Sequence, residues 1–575
     1  MFKNQVYTLA ATALLMGVGG VLVNQTHVSA DAVDSPYHVG KYHLTTKDGW
    51  SNDLQSIVWN EKGRYYDLYF LHSQTADDPN EAGHQNWYHT TTKDFVHFTE
   101  QNEALVADGP EAPFTWSSAW TGTVLVNNGQ IAGVPKGAYV AYFSGLQKHD
   151  GGSQNIWAAW SDDNGKTFKH VLNNASPVID HSWDFTSKNK VDERDPAVVY
   201  WNNKMLMYVA EGDAIGVYQS TDGIHWSKAD KNGESKVMPY TYMRGLNTEG
   251  HMPVECPVLR SMKMPNGQVK QVLFFGAKAP KEGQTTGTYY VVGHLDKNGL
   301  FAAETKAKRL DQGSDYYGAN FSGSSNLGKP DTNITTMGWI GNWSYTANGV
   351  HNDQDANSEF TKHLGSYSLA RDIKLDNNMN LSQRPIYGVK KNSKTMLNVT
   401  KDNPQNLARR LTTRGRDTNG PVYNLYDIPN LEANKLYDLS FYNRNGLYKG
   451  RVYIDIWQGK DYVRINYDPS NGNYVVNSYA GELDKGRNGQ GASSFYFDGL
   501  LGNGNGYLNN SGVKNVKNFN LQVFTDKNSV ELFFPNGQSY TIARFSSSDK
   551  QDFKIYTEDP TGTNRLGMTQ SDLSF

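Results

Sequence analysis

Three short stretches of this chain carry acidic side chains in settings where they could do chemistry. Gly49-Trp50-Ser51-Asn52-Asp53 sets an aromatic, an amide and a carboxylate in front of an apolar run, Ser56-Ile57-Val58-Trp59. Glu193-Arg194-Asp195-Pro196 precedes Ala197-Val198-Val199-Tyr200, and Glu255-Cys256-Pro257 precedes Val258-Leu259. A lone Asp before a strand is ordinarily a turn former. Three acids far apart in sequence, at strand edges with aromatic or β-branched neighbours and two of them just before a proline, point instead to carboxylates converging from different sheets. Carboxyl groups gathered in one place divide into protonated and ionised members, as acid–base chemistry requires.

The elements that must position these acids are strands. Ser56–Trp59 and Tyr65-Tyr66-Asp67-Leu68-Tyr69-Phe70, split by Asn60-Glu61-Lys62-Gly63, read as a hairpin. An aromatic content of 12% and 55 glycines, with little helical periodicity, favour an all-β chain rich in turns. Ser161-Asp162-Asp163-Asn164-Gly165-Lys166-Thr167-Phe168 has the form of an Asp-box turn, which caps a hairpin and does no chemistry. Ser220-Thr221-Asp222-Gly223-Ile224-His225-Trp226 and Lys93-Asp94-Phe95-Val96-His97-Phe98 are looser copies. Their aromatic ends recur at roughly 60–70 residues, a period that suits four-stranded propeller blades, and the span 37–386 holds about five. Past Arg384-Pro385 the pattern changes to short alternating strands, among them Val452–Trp457, Tyr462–Tyr467 and Val530–Phe534, which indicate a β-sandwich. The expected organisation is a signal peptide over 1–30, a propeller over 31–388, a linker and first strand over 389–415, and a sandwich over 416–575.

Lys plus Arg total 55 and Asp plus Glu 58, a formal charge of −3 with no block of one sign. That balance argues against nucleic acid or an anionic membrane surface as partner and suits a neutral substrate. Lys3, the apolar run Leu9 to Val23 and the small residues Val28-Ser29-Ala30 read as a secretory leader; the run is short for a membrane anchor, the alternative. The mature chain is therefore expected to be secreted, without a membrane span, and monomeric. The single cysteine, Cys256, excludes an internal disulfide. It is either a buried small hydrophobe or a soft neighbour of the Glu255 carboxyl group. His84, His89 and His97 lack ligand-like spacing, so neither metal nor cofactor is expected.

The three acidic stretches resemble, in order, spacing and flanks, the acidic motifs of glycoside hydrolase family 32, the invertase, inulinase and levanase family. The resemblance implies a five-bladed propeller with a C-terminal sandwich and a fructan polysaccharide or oligosaccharide as substrate. It makes Asp53 the nucleophile and Glu255 the acid/base of a retaining reaction, two groups facing each other at roughly 5 Å. Asp195, with Arg194 beside it, would hold sugar hydroxyls; Arg194 could instead be a structural ion-pair partner. Glu255 must keep its proton until the leaving oxygen arrives, which burial favours. Asn52 can hydrogen-bond the nucleophile or the sugar. Trp50, Trp87 and Trp120 are candidate platforms for a furanose ring, although core packing is the commoner role of any one Trp. Trp343 is a candidate wall; Trp339, in the stretch Met337–Trp343, is as readily a core residue. The stretch Asp311–Ala319 falls at the family's fourth-blade signature and should bring aromatics to the funnel. The chain departs from the family where Leu54-Gln55 follows Asp53 in place of Pro-Asn, and where Leu71 stands for a sugar-binding Gln. These departures lead to the expectation of a polymer-directed, endo-acting levanase, with exo-fructosidase, invertase or fructosyltransferase activity as alternatives and a non-catalytic sugar-binding propeller as a distant one. The sandwich is expected to stabilise the chain, with sugar binding as its second reading.

Overall fold

The strand Lys204–Glu211 shows why so many segments read as unbroken apolar runs. Met205 and Met207 pack with Val140 and Tyr142 of the preceding blade, whereas Leu206 and Tyr208 pack with Leu273 and Phe275 of the following one. Both faces are covered, so the polar–apolar alternation of a half-exposed sheet disappears. The same double burial repeats around the computed structural model, in which five antiparallel sheets form a five-bladed propeller and two further sheets form a C-terminal β-sandwich. The structure describes residues 41–46, 50–73, 85–107, 118–147, 153–181, 192–242, 253–277, 287–342, 366–398, 409–410, 422–443, 450–468, 473–479, 496–497, 509–510, 518–546, 548–559 and 564–574. The leader expected over 1–30 lies outside them.

The inner strands of blades I to V are Trp50–Asn60, Ser118–Val126, Glu193–Trp201, Val254–Lys263 and Tyr317–Phe321. Each heads a sheet of four or five strands, and each touches the next inner strand around the axis. The ring closes between blades V and I, where Asn320 Nδ2 donates to the carbonyls of Leu54 and Gln55 at 3.2 and 2.6 Å. The three Asp-box-like turns join third to outermost strands in blades I to III. In the best formed of them, Asp163 accepts from Ser161 Oγ, Thr167 N and Thr167 Oγ1 at 2.6, 2.9 and 2.6 Å, and Phe168 is buried beneath.

The sandwich has a six-stranded sheet that begins with Lys390–Leu397 and ends at the edge strand Ser539–Ala543, and a second, eight-stranded sheet. Between them lie Leu439, Phe441, Ile454, Ile456, Val523, Val530, Leu532 and Phe553. Glu531, between Val530 and Leu532 on Ser529–Phe533, must by alternation face away from that core. It faces the propeller.

Candidate active site

All five inner strands are interrupted by a bulge in which two residues oppose one of the neighbouring strand: Asn52-Asp53, Trp120-Thr121, Asp195-Pro196, Cys256-Pro257 and Gly318-Ala319. A bulge breaks the ladder and re-aims a side chain, and here five of them lie around one axis. The acids therefore lie inside their strands, not before them as expected. Proline lacks the N–H a ladder needs, so a bulge is where a central strand tolerates it; the Asp-Pro and Cys-Pro pairs mark these sites. Asp195 and Cys256 adopt left-handed backbone (φ 63° and 50°), a conformation that costs an L-residue about 1–2 kcal/mol and clusters at functional sites.

The bulges bring Asp53, Asp195 and Glu255 together, all buried. Cys256 Sγ donates to Asp53 Oδ2 at 3.4 Å and lies 3.7 Å from Asp195 Oδ2. Asp53 Oδ2 also accepts from Thr121 Oγ1 at 2.9 Å. Asp195 is held at both ends: its N–H donates to Ser144 Oγ at 2.8 Å, and its Oδ2 accepts the Cys256 N–H at 2.9 Å. Glu255 accepts from Arg194 Nη2 on Oε1 and from the Tyr317 hydroxyl on Oε2, both at 2.5 Å.

Burial pushes the Asp195 carboxyl up, to about 7; Arg194 and the Cys256 N–H pull against this, while the charges of Glu255 and Asp53 add to it. The site thus retains a proton near neutral pH. Burial, then the surrounding carboxylates, raise the Cys256 thiol well above its ordinary value. It stays an S–H donor and is no nucleophile. Burial followed by the Glu255 charge raises Tyr317, keeping its hydroxyl a donor. For Arg194 burial works against the charge, but Glu255, Asp195 and Asp192 outweigh it.

Arg194 is thus an ion-pair partner, of Glu255 and of Asp192 at 3.0 Å, with its guanidinium 5.8 Å from the centre of the half-buried Trp120 ring. Asn52 is buried beside Asp53, with Gln85 Nε2 3.5 Å from its Oδ1. Trp50 opens the blade I strand opposite Ser73; Trp343 lies outside the described residues. Trp87 requires a correction. It is 0% exposed, packs edge-on to Phe143 and Phe168 and donates its N–H to Trp120 O at 3.0 Å, so it offers no face to a sugar. Trp339 is likewise core. Leu54 and Leu71, at 1% and 2% exposure, are core residues too, and do not line a pocket; the endo-acting expectation loses the support taken from them. Sequence reasoning missed the roles of Tyr317, Thr121, Ser144 and Gly318. Tyr317 lay in a stretch already singled out, but nothing separates it from the adjacent Tyr316 except which face of a strand each takes.

Comparison with known proteins matches the family model "Glycosyl hydrolases family 32 N-terminal domain" over residues 43–385 and "Glycosyl hydrolases family 32 C terminal" over 418–569. The levanbiose-producing levanase of Bacillus subtilis is 30% identical over 357 residues, 61% of this chain and 61% of that protein. Its counterpart from Geobacillus stearothermophilus is 30% identical over 57% of this chain and 75% of its own length. The chain thus spans about three-fifths of the first of these relatives. Among solved structures, the β-fructofuranosidase of Schwanniomyces occidentalis complexed with fructosyl-erythritol superposes with a TM-score of 0.68 at 21% identity, over 95% of this chain and 99% of the other. The Aspergillus awamori exo-inulinase does so with 0.65 at 18% identity, over 93% and 98%.

Proposed function

The chain belongs to glycosyl hydrolase family 32, and from that premise we propose that it is a secreted, retaining β-fructan hydrolase. The observation that carries the reading is the meeting of three carboxylates from three different blades around one buried thiol. In the first step the Asp53 carboxylate attacks the anomeric carbon while Glu255 gives a proton to the leaving oxygen. In the second, Glu255 takes a proton from the water that releases the sugar from Asp53. Thr121 and Cys256 fix Asp53 Oδ2 as an acceptor, so the nucleophile is oriented before substrate arrives. Arg194 and Tyr317 fix the two oxygens of Glu255. Asp195, Asn52 and the exposed part of the Trp120 ring are assigned to the sugar. Secretion rests on the leader-like residues 1–30.

A second reading concerns mode of attack. The burial of Leu54 and Leu71 removes the argument for endo action, and relatives named fructan β-fructosidase, exo-inulinase and invertase accompany the levanases. Exo-acting fructosidase activity is therefore favoured over endo-levanase activity. Reducing-sugar release from levan, inulin and sucrose, with sizing of early products, tests both. Free fructose alone at early times supports exo action and short oligosaccharides support endo action, whereas no release from any of the three refutes the hydrolase. Asp53→Asn and Glu255→Gln should each lose several orders of magnitude in turnover while melting cooperatively.

A further inference from the structure

The acid/base side of the site is continuous with the sandwich. Residues 311–315, which lead into the blade V inner strand, lie along the sandwich edge strand Ser539–Ala543 as an added strand would. Gln312 N donates to Ser539 O at 2.7 Å, Asp315 N to Thr541 O at 3.0 Å, and Ala543 N to Asp315 Oδ2 at 2.9 Å. A Cβ on Gly313 would lie 2.1 Å from Thr541 O, so the approach requires glycine. Asp311 accepts from Thr541 N at 2.9 Å, Ser539 Oγ at 2.8 Å and Arg371 Nη1 at 2.6 Å. Arg371, fully buried, also donates to Glu531 Oε2 at 2.6 Å and to Thr541 Oγ1. Its guanidinium lies 4.4 Å from the centre of the Tyr316 ring. The next residue, Tyr317, donates to Glu255, and the one after, Gly318, abuts Asp53.

A buried charge network of this kind is no better for stability than a well-packed apolar interface, because desolvation offsets its attraction. What it does provide is one geometry, since each carboxylate oxygen has a fixed set of donors. We propose that Glu531 and Thr541 of the sandwich, acting through Arg371 and Asp311, are positioning residues for Tyr317 and Gly318, so that the C-terminal domain sets the alignment of the reaction centre. The inference rests on the hydrolase reading and deepens it: the domain expected only to stabilise the chain becomes part of the catalytic frame. Nothing but main chain intervenes between Tyr316, under Arg371, and Tyr317, on Glu255.

The test uses the full chain with Thr541→Val, Glu531→Gln and Tyr317→Phe, alone and with each sandwich variant combined with Tyr317→Phe. Thr541→Val should lower kcat about 3- to 30-fold, the range seen for residues that act through others, with KM within about twofold. Removing a donor from a carboxylate favours its protonated form. Both Thr541→Val and Tyr317→Phe should therefore move the alkaline limb of kcat/KM to higher pH, and the double variant should show no further loss. Glu531→Gln is read in the same way. A lowered Tm with unchanged kcat and pH profile, or losses that multiply in the double variants, would overturn the proposal. Should the wild type release no sugar, the hydrolase reading fails, and the frame is read without substrate. The only cysteine gives a single S–H stretching band from within the carboxylate cluster. Thr541→Val and Tyr317→Phe should shift the pH dependence of that band alike, and a band untouched by Thr541→Val refutes the coupling.

Discussion

Replacing Gly318 by alanine would put a methyl carbon 2.2 Å from Asp53 Oδ1, 2.7 Å from its Cγ and 2.8 Å from its Cα. Ordinary contacts of this kind lie about 1 Å further out. Because the Asp53 backbone is among the atoms met, rotating the carboxylate does not relieve the clash; the inner strands of blades V and I must spread. The strand also holds φ +50° at Gly318, where an L-residue costs about 1–2 kcal/mol. With overpacking of about 1–3 kcal/mol, the stability loss is roughly 2–5 kcal/mol, a fall in Tm of several degrees that leaves the chain folded at assay temperature. The catalytic loss should be larger in kind: displacing a nucleophile by about 1 Å costs on the order of 100-fold in rate. The control is Gly323→Ala, just past the other end of the same strand. There φ is +99° and a Cβ meets Asp331 Oδ2 and Ile334 Cγ2, both at 2.8 Å, far from the acids in the strand. Melting curves and kcat on a levan oligosaccharide should show both variants losing Tm and Gly318→Ala alone losing kcat. If kcat of Gly318→Ala stays within about threefold of wild type, or Gly323→Ala loses as much, the nucleophile is not where the bulge holds it.

Asp195, raised to about 7, binds a proton in the folded state that the unfolded chain has released above about 4. Stability must then fall as pH rises from about 4 through 7; Asp195→Asn, which cannot ionise, should lose activity yet be more stable than wild type at pH 8, by about 2–4 kcal/mol, and melt at a higher temperature. His43 has linkage of the same sign, at higher pH. Burial lowers it, but hydrogen bonds from its ring to Asp526 at 2.8 Å and Glu531 at 2.7 Å raise it to about 9. The stabilisation is complete below about pH 6.5 and is lost as pH rises through 9, worth roughly 3 kcal/mol, so His43→Gln should flatten the decline of Tm over that window. If Asp53 forms a covalent intermediate, proton NMR of the earliest product should show the β anomer of fructose, and high sugar concentration should yield transfer products; an inverted first product would make Asp53 a base.

What the sequence made legible was whatever depends on local chemistry. Acids before proline stand out because neither residue belongs in a central strand, and the Asp-box of residues 161–168 names its own turn. Burial of both faces hid the rest. In a propeller blade most strand residues are buried on both faces, so Trp87 and Trp120 look equally able to meet a sugar until the register puts one against Phe143 and the other beside Arg194. Leu71 reads as a lost sugar contact, whereas its neighbours are Trp87 and the blade I–II core. The link from His43 through Glu531 and Arg371 to Asp311 joins residues up to 488 positions apart, and no local pattern announces such pairs.

The departure at Leu54-Gln55 also takes a different meaning once the bulges are seen. In blades III and IV a proline follows the left-handed residue and supplies no N–H, and the N–H groups of Asp195 and Cys256 are accepted by Ser144 Oγ and Asp195 Oδ2. Blade I lacks that proline, and its strand shifts register twice, at 52–53 and again at 55. The Gln55 side chain ties this bulge to the next blade: its Nε2 donates to the Asp53 carbonyl at 2.8 Å, and its Oε1 accepts the Gly122 N–H of blade II at 2.7 Å. Asn320 of blade V closes on the carbonyls of residues 54 and 55 from the other side. A buried amide and its neighbours thus hold the Asp53 bulge where a ring would otherwise do so. The change from Pro-Asn to Leu-Gln therefore bears on how the Asp53 bulge is braced.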